Sequence, residues 1–127
     1  MATEILVNDG GAPARILPFT AGATLSGGEA VIMSADGEID PAGAAATNVL
    51  GFMFTDATSG NNCSVITGKG VVVNAYVSGT AASGALLETI GTKGELKAGT
   101  TADAGVAIMI DNDPGGSTVA LRKVVTQ

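Results

Sequence analysis

No apolar run in this chain grows long before a turn residue cuts it. The pattern is clearest in Val49–Val73, which holds the apolar runs Val49–Phe54, Val65–Ile66 and Val71–Val73. Thr-Asp-Ala-Thr-Ser-Gly-Asn-Asn separates the first two, and Gly68-Lys-Gly70 separates the last two. Short apolar runs bounded by Gly, Asn, Asp and Ser are the grammar of strand, turn and strand. No window sustains apolar residues at i, i+3, i+4 and i+7 against a charged face, so amphipathic helices are not predicted. Ala44-Ala-Ala46 is too short to form a helix unaided. The predicted fold class is all-β.

The same phrase returns near the end of the chain. Gly105-Val-Ala-Ile-Met-Ile-Asp111 echoes Gly51-Phe-Met-Phe-Thr-Asp56, and Gly115–Val125 echoes Gly60–Val73. Ala82-Ser-Gly84 matches Ser26-Gly-Gly28, and Thr92-Lys-Gly-Glu-Leu96 matches Ala35-Asp-Gly-Glu-Ile39. Aligning Asp111 with Asp56 and Val119 with Val65 gives a drifting offset in preserved order, as a duplicated unit with small insertions would. Two copies are too few for a solenoid. The expectation is one small β-barrel or tulip-like domain closed from two strand-rich halves, repeat A over about 25–73 and repeat B over about 82–125. Closure would remove sheet edges that a Gly- and Val-rich chain otherwise exposes. Residues 1–20 read as an N-terminal arm ahead of a single domain at 21–127. Pro13 and Pro18 flank Arg15-Ile-Leu17, which suits an edge strand or extended tail better than a helix.

Charge and missing residue types exclude whole classes of function. With 12 acids against 6 bases the net charge is −6, and the bases are scattered. A protein that binds phosphate backbones needs clustered Lys and Arg, so neither nucleic acid nor an anionic membrane is an expected partner. No apolar run approaches the roughly 20 residues of a membrane helix. No basic-then-apolar leader is read at the N-terminus, and the chain reads as soluble and made in a cytoplasm. Cys63 is the single cysteine, so there is no intramolecular disulfide. Asn62-Cys-Ser64 matches the glycosylation triplet and, without a leader, is read as chance.

There is no histidine. That removes Ser-His-Asp and Cys-His catalysis as ordinarily built, and His-based zinc sites with it. Asp111-Asn-Asp113 opens like a calcium loop, but Gly115 stands at the fifth position and Arg122 at the twelfth, where a bidentate Glu belongs. Gly68-Lys-Gly70 lacks the Walker spacing. Asp56 and Asp111 are read as turn residues, and Asp36, Glu38, Glu29 and Asp40 as turn carboxylates. No enzyme and no cofactor or metal is expected. Aromatics are 3% of the chain, so sugar-stacking subsites are missing. Phe52 and Phe54 share one face of a strand, either packing a core or anchoring a neighbouring subunit.

Val49–Val73 taken whole, with Ser26-Gly-Gly-Glu-Ala-Val31, Ala35-Asp-Gly-Glu-Ile39 and the downstream echo, resembles the small cement, or head-decoration, proteins of tailed bacteriophages. The resemblance covers about residues 20–125. It implies a non-enzymatic β-protein that binds the outer surface of an icosahedral head and clamps adjacent major capsid protein subunits. It implies a homo-oligomer, a trimer before a dimer, located in the virion after synthesis in the bacterial cytoplasm. The contact residues expected on this reading are Ile5, Leu6, Val7, Arg15, Ile16, Leu17, Phe19, Phe52 and Phe54. The competing expectation is an unrelated β-barrel module that binds carbohydrate or protein.

Overall fold

Turn glycines set where the strands stop. A computed structural model of the chain describes residues 5–8, 15–79, 81–99, 104–111 and 119–127. Over these residues there are eleven strands and no helix: β1 (Leu6–Asn8), β2 (Arg15–Ala21), β3 (Ala30–Ala35), β4 (Glu38–Pro41), β5 (Gly51–Met53), β6 (Asn62–Thr67), β7 (Val72–Val77), β8 (Leu86–Thr89), β9 (Leu96–Ala98), β10 (Ala107–Met109) and β11 (Ala120–Thr126). The all-β expectation holds.

β2-β4-β3-β5-β6 closes into a five-stranded barrel. Four contacts in this ring are antiparallel, and β2–β4 is parallel. The remaining strands form a sheet in the order β1-β7-β11-β10-β8-β9, in which β7 also meets β9 through a parallel pairing of Val77 with Leu96. Without β1, that is a second five-strand ring with the same wiring: β7 stands for β2, β8 for β3, β9 for β4, β10 for β5 and β11 for β6.

The match reaches single hydrogen bonds. The Gly28 amide donates to the Met53 carbonyl at 2.9 Å, and the Gly84 amide to the Met109 carbonyl at 2.7 Å. Gly22 donates to Ile39, and Ser78 to Leu96, both at 2.7 Å. Phe54 donates to Ser64, and Ile110 to Lys123, both at 3.0 Å. Met53 pairs with Val65 and Met109 with Val124, so Val124 is the structural counterpart of Val65. Val119, which the sequence aligns there, precedes β11.

Three expectations change. Closure occurs within each unit rather than between two halves of one barrel. Val71–Val73, read as the end of repeat A, leads into β7 and belongs to the second ring. Arg15–Ala21 is a full barrel strand rather than arm, paired to β6 from Arg15 to Thr20. Pro18 is tolerated there because β4 reaches β2 only at Thr20 and Ala21. The side of β2 that would need a Pro18 amide has no described partner, the usual place for proline in a sheet.

The apolar residues sort into two cores. Ala21, Leu25, Val31, Ile39, Met53, Cys63 and Val65 fill the first barrel. A larger cluster joins the second ring to the outside of the first: Ala30, Ala42, Phe52 and Ile66 pack with Val73, Val77, Leu87, Leu96, Met109 and Val124. Alternation along β5 explains the split, since Met53 points into the barrel while Phe52 points out of it.

Side-chain hydroxyls and close backbone contacts pin the seam between the rings. Thr126 Oγ1 accepts from the Val71 amide at 3.0 Å and donates to the Gly68 carbonyl at 2.9 Å, holding the linker against β11. Thr89 Oγ1 accepts from the Ala46 amide at 2.9 Å and donates to Gly43. Gly94 lies on Ala30, whose amide donates to the Gly94 carbonyl at 2.9 Å.

Candidate functional site

Among the described residues no group of three or more His, Cys, Asp or Glu side chains could hold a metal ion. Asp113, Gly115 and Gly116 of the calcium-like stretch lie outside the described residues. Asp111 Oδ2 accepts from the Lys123 amide at 2.9 Å, and Asp56 Oδ1 accepts from the Gly27 amide at 2.8 Å. Both carboxylates cap loops after equivalent strands, but they hold different partners. Cys63 is buried in the first barrel, 3.5 Å from the Phe19 carbonyl, and burial pushes its thiol pKa up. A thiol held protonated is a poor nucleophile.

Two acids, Glu29 and Glu88, are out of place for surface carboxylates because both are buried. Glu29 lies just before β3, and its Oε1 has no hydrogen-bond partner among the described residues. Burial raises its carboxyl pKa above the ordinary range, against a lowering backbone hydrogen bond at Ser26 and the nearby charge of Lys93; Glu95 and Asp56 add to the rise. Its neighbours are the seam residues around Gly94, so it bears on how the rings meet.

A shallow cavity of about 390 Å³ opens beside the first barrel, lined by Thr24, Leu25, Asp56, Ala57, Thr58 and Asn61 among others. Its floor is the Leu25–Ala57 bridge. Asn61 Nδ2 already donates to Thr58 Oγ1 at 2.6 Å.

The nine expected contact residues do not form one patch. Phe52 is 2% exposed and Ile5 is 6% exposed, both in the core that joins the rings. They are removed as contact residues because packing within the chain uses their surface. Phe54 is half-buried against the same core, and Phe19 half-buried against the first barrel's core. Leu6 and Val7 sit on β1, whose backbone pairs with β7. Arg15, Ile16 and Leu17 remain on the surface at the open end of β2, with Ile16 at 43% and Leu17 at 36% exposed. Met33, at 42% on the outer end of β3, and Ile110, at 43% after β10, are exposed apolar residues that the sequence did not single out. No sequence signal marks them, because each continues an apolar run and exposure depends on where the neighbouring strand ends. The open end of β2 thus presents a strand edge flanked by exposed apolar side chains.

A tandem of two five-strand rings is the architecture that this surface sits on. The chain is similar to a solved structure described as head fiber gp8.5 N base in bacteriophage phi29, with a TM-score of 0.69 and 14% identity. The match covers 91% of this chain and 95% of that one. At that identity the likeness establishes a shared fold. No family model and no curated protein matches the sequence.

Proposed function

We propose that this chain is a non-enzymatic structural protein of a bacteriophage head, a cement or decoration protein seated on the outer capsid surface across adjacent major capsid protein subunits. The observation that carries the reading is the fold shared over 91% of the chain with a protein described as a phage head fiber base. The cement-like phrases around Val49–Val73 support it independently. So does the chemistry: Asp56 and Asp111 cap loops, the thiol is buried, and what the surface offers is exposed apolar strand edge. Many shallow contacts repeated around a shell gain strength from multivalency. On this reading the chain works as a homo-oligomer, a trimer before a dimer, and its two rings are copies of one ancestral unit.

The test is to mix purified protein with undecorated expanded heads. Stoichiometric binding with a rise in the disruption temperature of the heads is expected. Absence of both overturns the proposal.

The neighbour's description favours a second reading, in which the chain is the seat of a projecting fibre. Electron microscopy of decorated heads separates the two, since cement gives low caps and a fibre base carries an extended projection.

A further inference from the structure

The matched wiring of the rings makes one gap in the sheets informative. β6 covers one side of β2 from Arg15 to Thr20, but β4 reaches the other side only at Thr20 and Ala21. Backbone groups alternate sides along a strand. The Thr20 and Gly22 amides face β4, bonding Gly37 at 2.8 Å and Ile39 at 2.7 Å. The Ile16 amide and the Ile16 and Pro18 carbonyls therefore face the uncovered side, where no described residue meets them.

In the second ring the equivalent edge is covered. Val72, Val73 and Asn74 are the counterparts of Ile16, Leu17 and Pro18. β1 lies along them, with Leu6 opposite Val73 and the Asn74 amide donating to the Ile5 carbonyl at 2.8 Å. An edge of the same geometry is thus capped once, by a strand from outside the five, and left open once. β1 ends its sheet, so its own outer side is also unpaired among the described residues.

We infer that the open β2 edge takes the outer edge of β1 from a second copy of this chain, joining the sheets of two copies head to tail. An unpaired ladder flanked by exposed apolar side chains is a template for strand addition. The segment offered already runs as a strand along the equivalent edge on β7 through its inner side, which leaves its outer side as a second ladder for β2. Charge agrees: Glu4 and Asp9 bracket β1 in the sequence, while the open edge begins at Arg15, one of only 6 bases in a chain with 12 acids. Pro18 stands where Asn74 donates, so the added strand lacks that bond and is held less firmly than β1 on its own β7. The contact uses different patches on the two copies, so it closes into a cyclic oligomer or grows as a filament. It concerns copies of this chain alone and stands whether or not the capsid reading does.

The experiment measures the mass of the full chain in solution across a concentration series by light scattering, for wild type, Ile16→Pro and Ile16→Lys. Ile16→Pro deletes the outward amide and leaves the bonds to β6, which come from the odd-numbered residues. Ile16→Lys keeps the backbone and places a charge on the edge. Wild type is expected at a multiple of the 12.3 kDa chain, with both variants at the single-chain mass and unchanged circular dichroism. If Ile16→Pro unfolds, Ile16→Lys decides. A single-chain mass for wild type at every concentration overturns the inference, as does a folded Ile16→Lys variant that keeps the multiple. Mixing Asn8→Cys chains with Ile16→Cys chains fixes the orientation: crosslinks between unlike chains are expected, and crosslinks only between like chains overturn the head-to-tail arrangement.

Discussion

The first ring keeps a core of its own, whereas the second shares its core with the seam. Inside the first barrel, Leu25, Val31, Ile39, Met53 and Val65 meet one another. The counterparts Leu87, Leu96, Met109 and Val124 pack in one cluster with Phe52 and Ile66, which reach in from outside the first barrel. Identical wiring therefore does not give identical mechanics. The first ring is a closed unit against which the second is completed. Substitutions at matched positions should separate what the wiring requires from what the seam requires.

Phe52 and its counterpart Ile108 give the widest separation. Phe52 is buried in the seam, and Ile108 is half-buried at the matching place in β10. Phe52→Ala removes a buried ring at a site where both rings are already fixed, and should cost about 3–5 kcal/mol. Ile108→Ala should fall well below that, because much of its side chain already meets water. Urea unfolding followed by circular dichroism checks both. Equal losses would mean that the seam adds nothing beyond ordinary core packing.

Gly94 and Gly37 come next, as matched turn glycines with φ of +62° and +71°. Alanine at Gly37 meets open space, so only the left-handed backbone is penalised, by about 1–2 kcal/mol. Alanine at Gly94 drives its Cβ into the backbone of Ala30 across the seam. Overpacking there adds about 1–3 kcal/mol to the same backbone term. A thermal melt in which Gly94→Ala is no worse than Gly37→Ala would show that the rings can part locally at little cost.

These pairs also show what could be read from the sequence. Gly28 with Gly84, and Gly37 with Gly94, are visible because a turn of positive φ demands glycine, and glycine at a repeated place is a strong local mark. The face shared by Phe52 and Phe54 follows from strand periodicity. What that face meets does not, because it belongs to a ring formed later in the chain. The sequence of β2 reads as arm because Pro13 and Pro18 suggest broken pairing, and only the short reach of β4 shows that Pro18 costs the barrel no bond. Val119 aligns with Val65 in sequence because both follow Gly-containing stretches. The loops before β6 and β11 differ in length, which moves the true counterpart to Val124. Ile16 and Leu17 could be flagged as apolar, but their exposure depends on a neighbouring strand stopping four residues short of Ile16, which no local pattern encodes.

Thr126 and Thr67 test the linker end of the seam. They occupy matching places at the ends of β11 and β6. Thr126 Oγ1 holds the Val71 amide and the Gly68 carbonyl. Thr67 Oγ1 donates only to the Arg15 carbonyl at 3.0 Å, at the surface. Thr126→Val leaves a buried amide without an acceptor and should cost about 1–3 kcal/mol. Thr67→Val frees a carbonyl that water can reach, and should stay within about 0.5 kcal/mol. Hydrogen exchange at Val71 adds a local readout, with protection expected to fall in Thr126→Val alone.

Glu29 and Ala85 are the matched pair in which chemistry rather than size differs, and the expected effect depends on pH. The Glu29 carboxyl is raised above its ordinary value of 4.5, chiefly by burial, so the folded chain holds this proton more tightly than the unfolded chain does. Between the ordinary and the raised value the native state binds more protons, and stability falls as pH rises through that window. Above it the penalty of a buried carboxylate is fully present; below it there is none. Glu29→Gln keeps the shape and removes the ionisation. It should therefore match wild type in acid, where both side chains are neutral, and exceed wild type near neutral pH. Urea midpoints measured across the pH series for both proteins give the difference directly. A gap that stays constant with pH would mean that Glu29 titrates alike in the folded and unfolded chain, and that the seam carries no charge penalty where the second ring has Ala85.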